Sequence, residues 1–452
     1  MCGIARISVC NRGFSNRGEH FSRQKGMVID LKYGLIGEKL GHSFSAEIHG
    51  RIGRYDRPES GGYDYCLAEI SSGELDSFMR SRDFLGINVT IPYKQDVIPY
   101  LDEIDETAEK IGAVNTIVNR GGKLFGYNTD FGGMRSLIRK NNLELRGKKV
   151  LILGSGGTSK TAYAVARSLE ASEIICVSRS GRNGAVTYDE MYSVHSDAEI
   201  IINTTPCGMF PNTEGIPINL ERFSKLSGVV DVICNPLATK LVRRARELGI
   251  PACGGLYMLV VQAVLAYGHF FGKEYNSALA DRIYSELFSE KQNIVLIGMP
   301  GCGKTTIGKL IAQSCGKTFV DTDSMITGKT GMTVNDIFKK YGENEFRKLE
   351  SEAVREASEK VGQVIATGGG AVLRSENVDA LRMNGRIYFL DRPVDMLVPT
   401  QDRPLACSAE AIRKRYEERL PIYLSAADEV VSMTEDALQN AKSIENRHFM
   451  LC

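Results

Sequence analysis

The sequence lacks an excess of either charge, and it lacks the cysteine pairs that build metal or disulfide frameworks. Its 452 residues contain 56 Lys and Arg against 55 Asp and Glu, a formal net charge of +1, so no overall field favours nucleic acid or an acidic membrane. The eleven cysteines form no C-x-x-C pair, which argues against a zinc site and favours a reducing compartment. We expect a cytoplasmic protein with small-molecule substrates and no nucleic-acid or membrane partner; its oligomeric state stays open.

Long apolar runs are also scarce. The longest, residues 254–272, is interrupted by Gln262 and His269, which is typical of a buried helix rather than a membrane span. Residues 1–26 lack the apolar core of a secretory signal. They are rich in Arg and poor in acid, which superficially fits a transit peptide. We favour a disordered tail or an upstream start codon, with Met27 as the true first residue.

The overall composition is typical of a globular chain with several domains. Hydrophobic residues make up 43% and charged residues 25%, which excludes disorder, and the length predicts about three domains. The 46 glycines exceed average usage and indicate several tight loops that bring backbone close to a ligand. Apolar runs, among them residues 173–177 and 200–203, alternate with helical periodicity, which predicts an α/β fold.

Two apolar runs end in a glycine-rich loop that precedes a helical pattern. Residues 148–153 lead into Gly154-Ser155-Gly156-Gly157, and residues 293–297 lead into Gly298. In such a unit the glycines let backbone N–H groups face phosphate oxygens, and the helix N-terminus adds partial positive charge. The sequence therefore predicts two separate phosphate-binding sites.

The second glycine loop, residues 298–305, fits G-x-x-x-x-G-K-[ST], a pattern that binds a nucleoside triphosphate. Lys304 is expected to reach the β- and γ-phosphates, and the Thr305 hydroxyl can ligate Mg²⁺. Asp321 and Asp323 end the next apolar run; in-line transfer to an alcohol requires one acid near Mg²⁺ and one near the acceptor hydroxyl. The residues expected to bind ATP are Gly301, Cys302, Gly303, Lys304, Thr305 and Thr306.

Four further segments resemble one kinase family in sequence and order. They read F-R-K-L-E at 346–350, T-G-G-G at 367–370, R-P-L at 403–405 and R-L-P-I-Y at 419–423. Together with the phosphate loop, they resemble the shikimate kinase family from about residue 292 to residue 438. One departure is Pro399, where relatives usually carry an Arg before the lid, so we expect lid closure over ATP to differ in detail.

This first resemblance implies a role for each matching residue. Arg347 and Arg419 would hold the shikimate carboxylate, since a guanidinium pairs with a carboxylate bidentately. Arg403 would come from the lid and meet the ATP phosphates. Asp321 would support Mg²⁺ indirectly, and Asp323 would orient or deprotonate the attacking hydroxyl. The implied shikimate-binding set is Asp323, Arg347, Gly369 and Arg419, with Lys304 and Asp323 as catalytic residues.

The first glycine loop indicates a dinucleotide. Ser159 stands where the strict G-x-G-x-x-G pattern has its third glycine, so the loop alone is a weaker signal. The next strand ends at residues 178–182, S-R-S-G-R. Two arginines without an acid favour a ribose 2′-phosphate, and hence NADP. The alternative is that Arg179 and Arg182 are solvated loop charges.

Six segments around this loop resemble a second family. They are G-H-S-F-S at 41–45, N-V-T-I-P-Y-K at 88–94, I-G-A-V-N-T at 111–116, G-Y-N-T-D at 126–130, N-T-T-P at 203–206 and G-L-Y-M-L-V-V-Q at 255–262. In this order they resemble the shikimate dehydrogenase family from about residue 32 to residue 288. Cys234 departs from the family, which usually has a tyrosine there; a lost phenol contact would weaken binding by about 1 kcal/mol.

The second resemblance implies a catalytic pair, Lys94 and Asp130. Hydride arriving at C3 of 3-dehydroshikimate leaves an alkoxide, which needs a proton and a nearby positive charge; a lysine supplies both, and a carboxylate keeps it charged and aimed. The implied substrate-binding residues are Ser43 and Ser45 at the carboxylate, with Thr90, Asn115, Asp130 and Gln262 around the ring. The implied NADP-binding residues are Gly154, Ser155, Gly156, Gly157, Thr158, Ser178, Arg179, Arg182, Val232 and Gly255.

Both resemblances lead to one predicted organisation, a set of α/β domains. It consists of a tail over 1–27, a substrate-binding domain over 28–130 completed by helices within 255–288, a Rossmann NADP domain over 131–254, a P-loop kinase domain with a parallel sheet over 289–438, and a tail over 439–452. The implied enzyme of aromatic biosynthesis reduces 3-dehydroshikimate with NADPH and phosphorylates shikimate with ATP and Mg²⁺. Two alternatives stay open: a non-catalytic sensor of shikimate or quinate, and a quinate- or NAD-preferring dehydrogenase joined to a kinase for another small alcohol.

Overall fold

The computed structural model describes residues 31–41, 43–182, 184–397 and 409–449, together with Arg6–Ile7. The chain divides into two compact units. Unit 1 spans 1–207, 215–234 and 244–284, and unit 2 spans 208–214, 235–243 and 285–452. The expectations for Pro399 and Arg403, and most of the tail predicted over 1–27, lie outside the described residues.

A seven-stranded mixed sheet forms the first part of unit 1. Its strands are β1 (Arg6–Ile7), β2 (Tyr33–Gly37), β3 (Cys66–Glu69), β4 (Gly86–Val89), β5 (Glu103–Ile104), β6 (Thr116–Arg120) and β7 (Lys123–Tyr127), in the order β1-β3-β2-β4-β6-β7-β5. The helices between them are α1 (Ser45–Asp56), α2 (Leu75–Ser81) and α3 (Glu106–Ile111). Gly121 and Gly122, both with positive φ, form the tight turn of the β6–β7 hairpin.

A five-stranded parallel sheet forms the second part of unit 1. After α4 (Thr129–Lys140) come β8 (Lys149–Leu153), α5 (Gly157–Ser168), β9 (Glu173–Val177), α6 (Tyr188–Val194), β10 (Ile200–Asn203), β11 (Gly228–Asp231), α7 (Lys240–Glu247) and β12 (Ala252–Cys253). The strand order is β12-β11-β10-β8-β9. The central strands are continuous apolar runs because helices cover both faces of a parallel sheet.

Two helices follow this sheet, α8 (Leu256–Phe271) and α9 (Ser277–Lys291). The chain returns through α8 to the first part of unit 1, where α8 packs against α4 and α1. Most of its 16 residues are buried, which explains the long apolar stretch in the sequence. Among the helices of the described ranges, none is long and apolar enough to cross a membrane.

Unit 2 is built on a second five-stranded parallel sheet. Its elements are β13 (Asn293–Ile297), α10 (Lys304–Cys315), β14 (Thr318–Asp321), α11 (Thr322–Thr330), α12 (Val334–Ser358), β15 (Gln363–Ala366), α13 (Ser375–Asn384), β16 (Gly385–Asp391), α14 (Ala409–Ala426), β17 (Glu429–Ser432) and α15 (Ala437–Phe449). The strand order is β14-β15-β13-β16-β17. Every residue of the central strand β13 is buried. The α/β class and the parallel sheets predicted from the sequence are confirmed.

One predicted boundary is wrong. The tail placed at 439–452 overlaps α15, which packs against α10 and buries Asn440, Ala441, Ile444 and His448. Ala441 and Ile444 stand three residues apart, so they share one face of the helix. That apolar face makes α15 part of the core of unit 2.

Candidate active sites

Lys94 and Asp130 form an ion pair in unit 1. Lys94 lies in the turn after β4, and Asp130 lies in the first turn of α4, where Asn128 caps the helix by accepting from Phe131 N. Lys94 Nζ is 2.6 Å from Asp130 Oδ2, and the two side chains are only 14% and 9% exposed. The carboxylate is favoured by the helix N-terminus, and in turn it holds the ammonium in place. The pair can therefore present a positively charged proton donor to a ligand.

A buried network fixes the amide of Asn115 beside this pair. Asn115 Oδ1 accepts from the backbone N–H of Thr129 at 2.7 Å and from the Thr129 hydroxyl at 3.1 Å. The Thr116 hydroxyl bridges Asn115 to Asn88, and Asn88 Oδ1 accepts from Tyr65 OH at 2.7 Å. Because these groups all engage the amide oxygen, the Asn115 NH₂ group remains as the donor to a ligand.

The other expected substrate residues of unit 1 lie at the start of α1, after β4 and on α8, and none of them lines the cavity described below. Ser43 Oγ is 3.0 Å from the Oγ of Ser45, which is buried at the start of α1. Thr90 directly follows the end of β4, and its backbone N–H donates to Ile36 O at 3.0 Å. Gln262 is buried on α8, the helix that packs against α4. The structure thus brings the helix of Gln262 against the helix of Asp130.

A cavity of about 870 Å³ joins Lys94 to the first glycine loop. A Cβ placed on Gly157 would lie 3.6 Å from Lys94 Cβ, so the lysine stem runs close beside the start of α5. The expected NADP residues that line the cavity are Gly154, Ser155, Gly156, Gly157, Thr158, Ser178 and Arg179. The cavity is also lined by residues that lie outside every motif of the sequence, namely Gln95, Tyr188, Cys207, Ile216 and Pro217.

Three expected NADP residues, Arg182, Val232 and Gly255, are not among those lining this cavity. A side chain on Gly255 would overlap the Val232 carbonyl, so this glycine allows the chain after β11 and the start of α8 to touch. Burial raises the pKa of Cys234 to about 11, so its thiol is neutral at physiological pH. A thiol is also a weaker hydrogen-bond donor than the phenol usual in relatives.

The second glycine loop connects β13 to α10 in unit 2. Gly303, with φ 102°, precedes Lys304, the first residue of the helix. Lys304 is buried, and its Nζ donates to Gly298 O at 2.8 Å and to Met299 O at 2.9 Å. The ammonium group of Lys304 therefore lies within the loop that is expected to bind the phosphates.

Thr305 and Asp321 form the pair expected near Mg²⁺. Thr305 Oγ1 donates to Asp321 Oδ2 at 2.8 Å, and Asp321 Oδ1 accepts from Ser324 N to cap α11. A hydroxyl and a carboxylate at this distance fit a hard cation that takes its remaining ligands from phosphate and water. In the part of the chain that the structure describes, no group of three His, Cys, Asp or Glu is placed to hold a metal.

The expected acceptor residues of unit 2 meet around a cavity of about 480 Å³. Asp323, Arg347, Gly369 and Arg419 all line it together with the phosphate loop. Arg419 donates to Gly369 O at 3.0 Å. A Cβ on Gly370 would lie 2.5 Å from Arg347 Cζ, and one on Gly368 would lie 2.6 Å from Asp323 Oδ1. Because these glycines carry no side chain, Arg347 and Asp323 can pack directly against the backbone of this loop.

Glu350 is a further functional candidate in the cavity of unit 2, and no role is predicted for it from the sequence. It is fully buried and accepts from Arg347 Nη1 at 2.7 Å, and burial raises the pKa of its carboxyl despite the nearby guanidinium. The sequence contains a signal for this pairing: Glu350 stands three positions after Arg347, and residues three apart on a helix share a face. Tyr423 is a second case, since its hydroxyl donates to Gly369 O at 2.5 Å.

Comparison with known proteins identifies relatives of both units. Residues 35–117 match the family model for the shikimate dehydrogenase substrate binding domain, and residues 300–447 match the model for shikimate kinase. The chain is 35% identical over 268 residues to the shikimate dehydrogenase (NADP(+)) of Clostridium perfringens strain SM101, an alignment covering 56% of this chain and 97% of the relative.

Two solved structures resemble unit 1. Shikimate dehydrogenase 1 from Peptoclostridium difficile has a TM-score of 0.53 and 34% identity, over 56% of this chain and 97% of that chain. The shikimate 5-dehydrogenase from Thermus thermophilus, solved with NADP(H) and shikimate, has a TM-score of 0.50 and 25% identity, over 57% of this chain and 99% of that chain.

Proposed function

Because the chain belongs to the shikimate dehydrogenase family and carries a shikimate kinase domain after it, we propose that one polypeptide catalyses two consecutive reactions. Unit 1 reduces 3-dehydroshikimate to shikimate with NADPH, and unit 2 transfers the γ-phosphoryl group of ATP to the same C3 oxygen. The single observation that carries this proposal is that groups suited to each reaction lie together within one unit: Lys94 with Asp130 in unit 1, and Lys304 with Asp323 and Arg347 around one cavity in unit 2.

Lys94 supplies the proton in the first reaction. NADPH bound at the first glycine loop would supply the hydride for the carbonyl carbon, so the carbonyl oxygen would need a proton and a nearby positive charge. Lys94 Nζ stabilises that oxygen by its charge and transfers a proton to it. Asp130, 2.6 Å away, keeps the lysine charged and aimed. The Asn115 NH₂ group donates to a ring hydroxyl, while the hydroxyls of Ser43 and Ser45 donate to the carboxylate.

Arg347 and Arg419 hold the acceptor carboxylate in the second reaction. Asp323 then faces the C3 hydroxyl and accepts its proton as the oxygen attacks the γ-phosphorus. Lys304 neutralises charge on the transferring group. Thr305 and Asp321 would hold Mg²⁺, which would neutralise further charge on the phosphates. Glu350 and Glu343 accept from Arg347 Nη1 at 2.7 Å and from Nη2 at 3.0 Å. These two ion pairs fix the guanidinium, which then has its remaining N–H groups for the substrate.

A coupled assay tests the proposal directly. Full-length protein is incubated with 3-dehydroshikimate, NADPH, ATP and Mg²⁺, and products are identified by mass spectrometry. We expect shikimate 3-phosphate; without ATP we expect shikimate, and without NADPH no conversion. Parallel incubations with NADH and with quinate test the cofactor and substrate alternatives. Failure to convert 3-dehydroshikimate or shikimate would contradict the proposal and favour a sensor.

A further inference from the structure

Arg392 lies beside the phosphate loop of unit 2, and the mechanism above gives it no role. It follows β16, whose residues pair in parallel with those of β13, up to Phe389 opposite Ile297. β13 ends in the phosphate loop. Because the carboxyl ends of parallel strands meet at one edge of the sheet, the residues that follow β16 emerge next to that loop.

Contacts with two loop glycines place Arg392 more closely. A Cβ on Gly298 would lie 2.9 Å from Leu390 O, so the end of β16 packs against the start of the loop. A Cβ on Gly303 would lie 3.8 Å from Arg392 Nη1. Gly303 is the last residue before α10, so the guanidinium lies beside the N-terminus of that helix.

No acidic side chain of the described ranges balances this guanidinium. Arg392 takes part in none of the ion pairs found there, unlike Arg386 and Arg413 on either side of it in the sequence. Its Nε atom is buried without a hydrogen-bond partner in the same ranges. The adjacent carboxylate, Asp391, accepts from Tyr416 OH at 2.7 Å and is engaged elsewhere.

This arrangement concentrates positive charge around the loop. The N-terminus of α10 carries partial positive charge, and cations are disfavoured at that end of a helix. Lys304 lies in the same loop, buried against backbone carbonyls. A third positive group without a counter-ion raises the electrostatic energy of the site unless a polyanion binds there, where backbone N–H groups, helix end and cations all favour it.

We propose that Arg392 binds the phosphate chain of the nucleotide, as a second side-chain cation in addition to Lys304. This inference rests on the proposed kinase function of unit 2 and extends it to a residue that neither the loop motif nor the acceptor motifs contain. A charge-assisted contact of this kind contributes about 10- to 100-fold to affinity. The contact should depend on the number of phosphates and be insensitive to the acceptor.

The test measures nucleotide binding to full-length Arg392→Gln by calorimetry with ATP, ADP and adenosine. We expect the Kd for ATP to rise about 10- to 100-fold, the effect on ADP to be smaller, and adenosine binding to be unchanged. Arg392→Lys should recover part of the loss, since it keeps the charge without the planar fork. Arg413→Gln is the matched control, because Arg413 is exposed and already pairs with Asp395.

The outcomes separate this inference from the kinase proposal. An Arg392→Gln protein that binds ATP as tightly as the Arg413→Gln control would overturn the role of Arg392 while leaving the kinase intact. An equal loss for ATP and adenosine would also overturn it, because the contact would then be to the base or to the fold. A wild-type protein that binds ATP but does not phosphorylate shikimate would contradict the proposed function alone.

Discussion

Buried side chains in this protein depend on partners distant in the sequence. Lys94 and Asp130 are 36 positions apart, yet the end of β4 and the start of α4 bring their charged atoms to 2.6 Å. His49 is fully buried on α1, where its ring stacks on Tyr65 with centroids 3.8 Å apart. The first pair predicts an effect on the reduction rate, and the buried histidine predicts an effect of pH on stability.

Substitution of Lys94 tests the proton donor. Lys94→Ala should lower the rate of 3-dehydroshikimate reduction by about 10² to 10⁴, the usual contribution of a general acid, while phosphorylation of shikimate stays unchanged. Lys140→Ala is a suitable control, because Lys140 forms a comparable ion pair with Asp281 at 2.8 Å on the surface of unit 1. A reductase that works as well without Lys94 as without Lys140 would exclude the lysine from the chemistry.

His49 should make unit 1 sensitive to acid. Burial lowers its pKa to about 3, whereas in the unfolded chain the pKa is about 6.5. Below pH 6.5 the unfolded state therefore binds a proton that the folded state excludes, so stability falls as pH falls from 6.5 toward 3. At pH 5 the loss amounts to about 2 kcal/mol.

Hydrogen-exchange mass spectrometry of the α1 segment in urea, at pH 7 and pH 5, measures this loss. His49→Gln should reduce the difference between the two pH values by about 2 kcal/mol. His448→Gln should leave the α1 difference unchanged, since His448 is the corresponding buried histidine of unit 2, with a pKa of about 3. An unaltered pH dependence in His49→Gln would show that the ring is protonated in the fold.

Some of these residues could be predicted from the sequence and others could not. Lys94 and Asp130 lie in two segments that resemble one family, and it is this resemblance that implies their pairing. Asn88 and Thr116, which orient Asn115, were not assigned a role because their partners depend on strand register. Arg392 follows a strand without any motif, and only the packing of its strand against β13 shows its position.

At the scale of elements, the loop of Gly368, Gly369 and Gly370 connects the phosphate loop of unit 2 with its acceptor residues. A side chain on Gly368 would meet Asp323 and Glu350, one on Gly369 would meet Pro300 of the phosphate loop, and one on Gly370 would meet Arg347. The donor and acceptor sides of the cavity therefore approach each other across three residues of bare backbone.

Gly370→Ala should displace Arg347 from the acceptor site. The backbone of Gly370, with φ −106°, tolerates alanine, so the new methyl group acts on the guanidinium rather than on the fold. We expect the KM for shikimate to rise about 10- to 100-fold, the effect of losing a charge-assisted contact, with little change in ATP binding. Steady-state kinetics with each substrate varied separately would measure this.

Gly328→Ala provides the matched control for that experiment. A Cβ on Gly328 would meet no atom within 4 Å, and the residue lies within α11, so alanine should leave both kinetic constants unchanged. If Gly370→Ala raised the two KM values equally, the loop would be acting through general distortion and not through Arg347.

The elements themselves followed closely from the apolar pattern. The β9, β10 and β13 strands begin and end where the sequence predicts, because no charged or amide side chain interrupts the apolar residues between their first and last positions. α15 was missed for the opposite reason, since its core-facing residues are separated by polar ones and follow the last recognised motif. Its role became visible only from its packing on α10.

At the scale of the whole molecule, each unit holds its own reacting groups, so the two activities should be separable. Arg347→Ala should weaken shikimate phosphorylation and leave reduction intact, the reverse of Lys94→Ala. Both variants would be assayed as full-length proteins for each reaction. Equal damage to both activities by either substitution would contradict independent sites.

Mixing the two variants tests whether shikimate passes through solution. We expect a mixture of Lys94→Ala and Arg347→Ala chains to form shikimate 3-phosphate as fast as wild-type protein at the same concentration of intact sites, because shikimate released by one chain can bind to the intact kinase site of another. Labelled shikimate should likewise be fully accessible to an added free kinase. A clearly slower mixture would point to direct transfer.

The return of α8 to the first part of unit 1 sets an order of events during translation. Residues up to Asp130 emerge early from the ribosome, but the helix that packs against α4 and carries Gln262 follows more than a hundred residues later. At about 5–20 residues per second, the first part of unit 1 waits several seconds or longer for this helix. Its packing can therefore be completed only as the kinase half begins to be made.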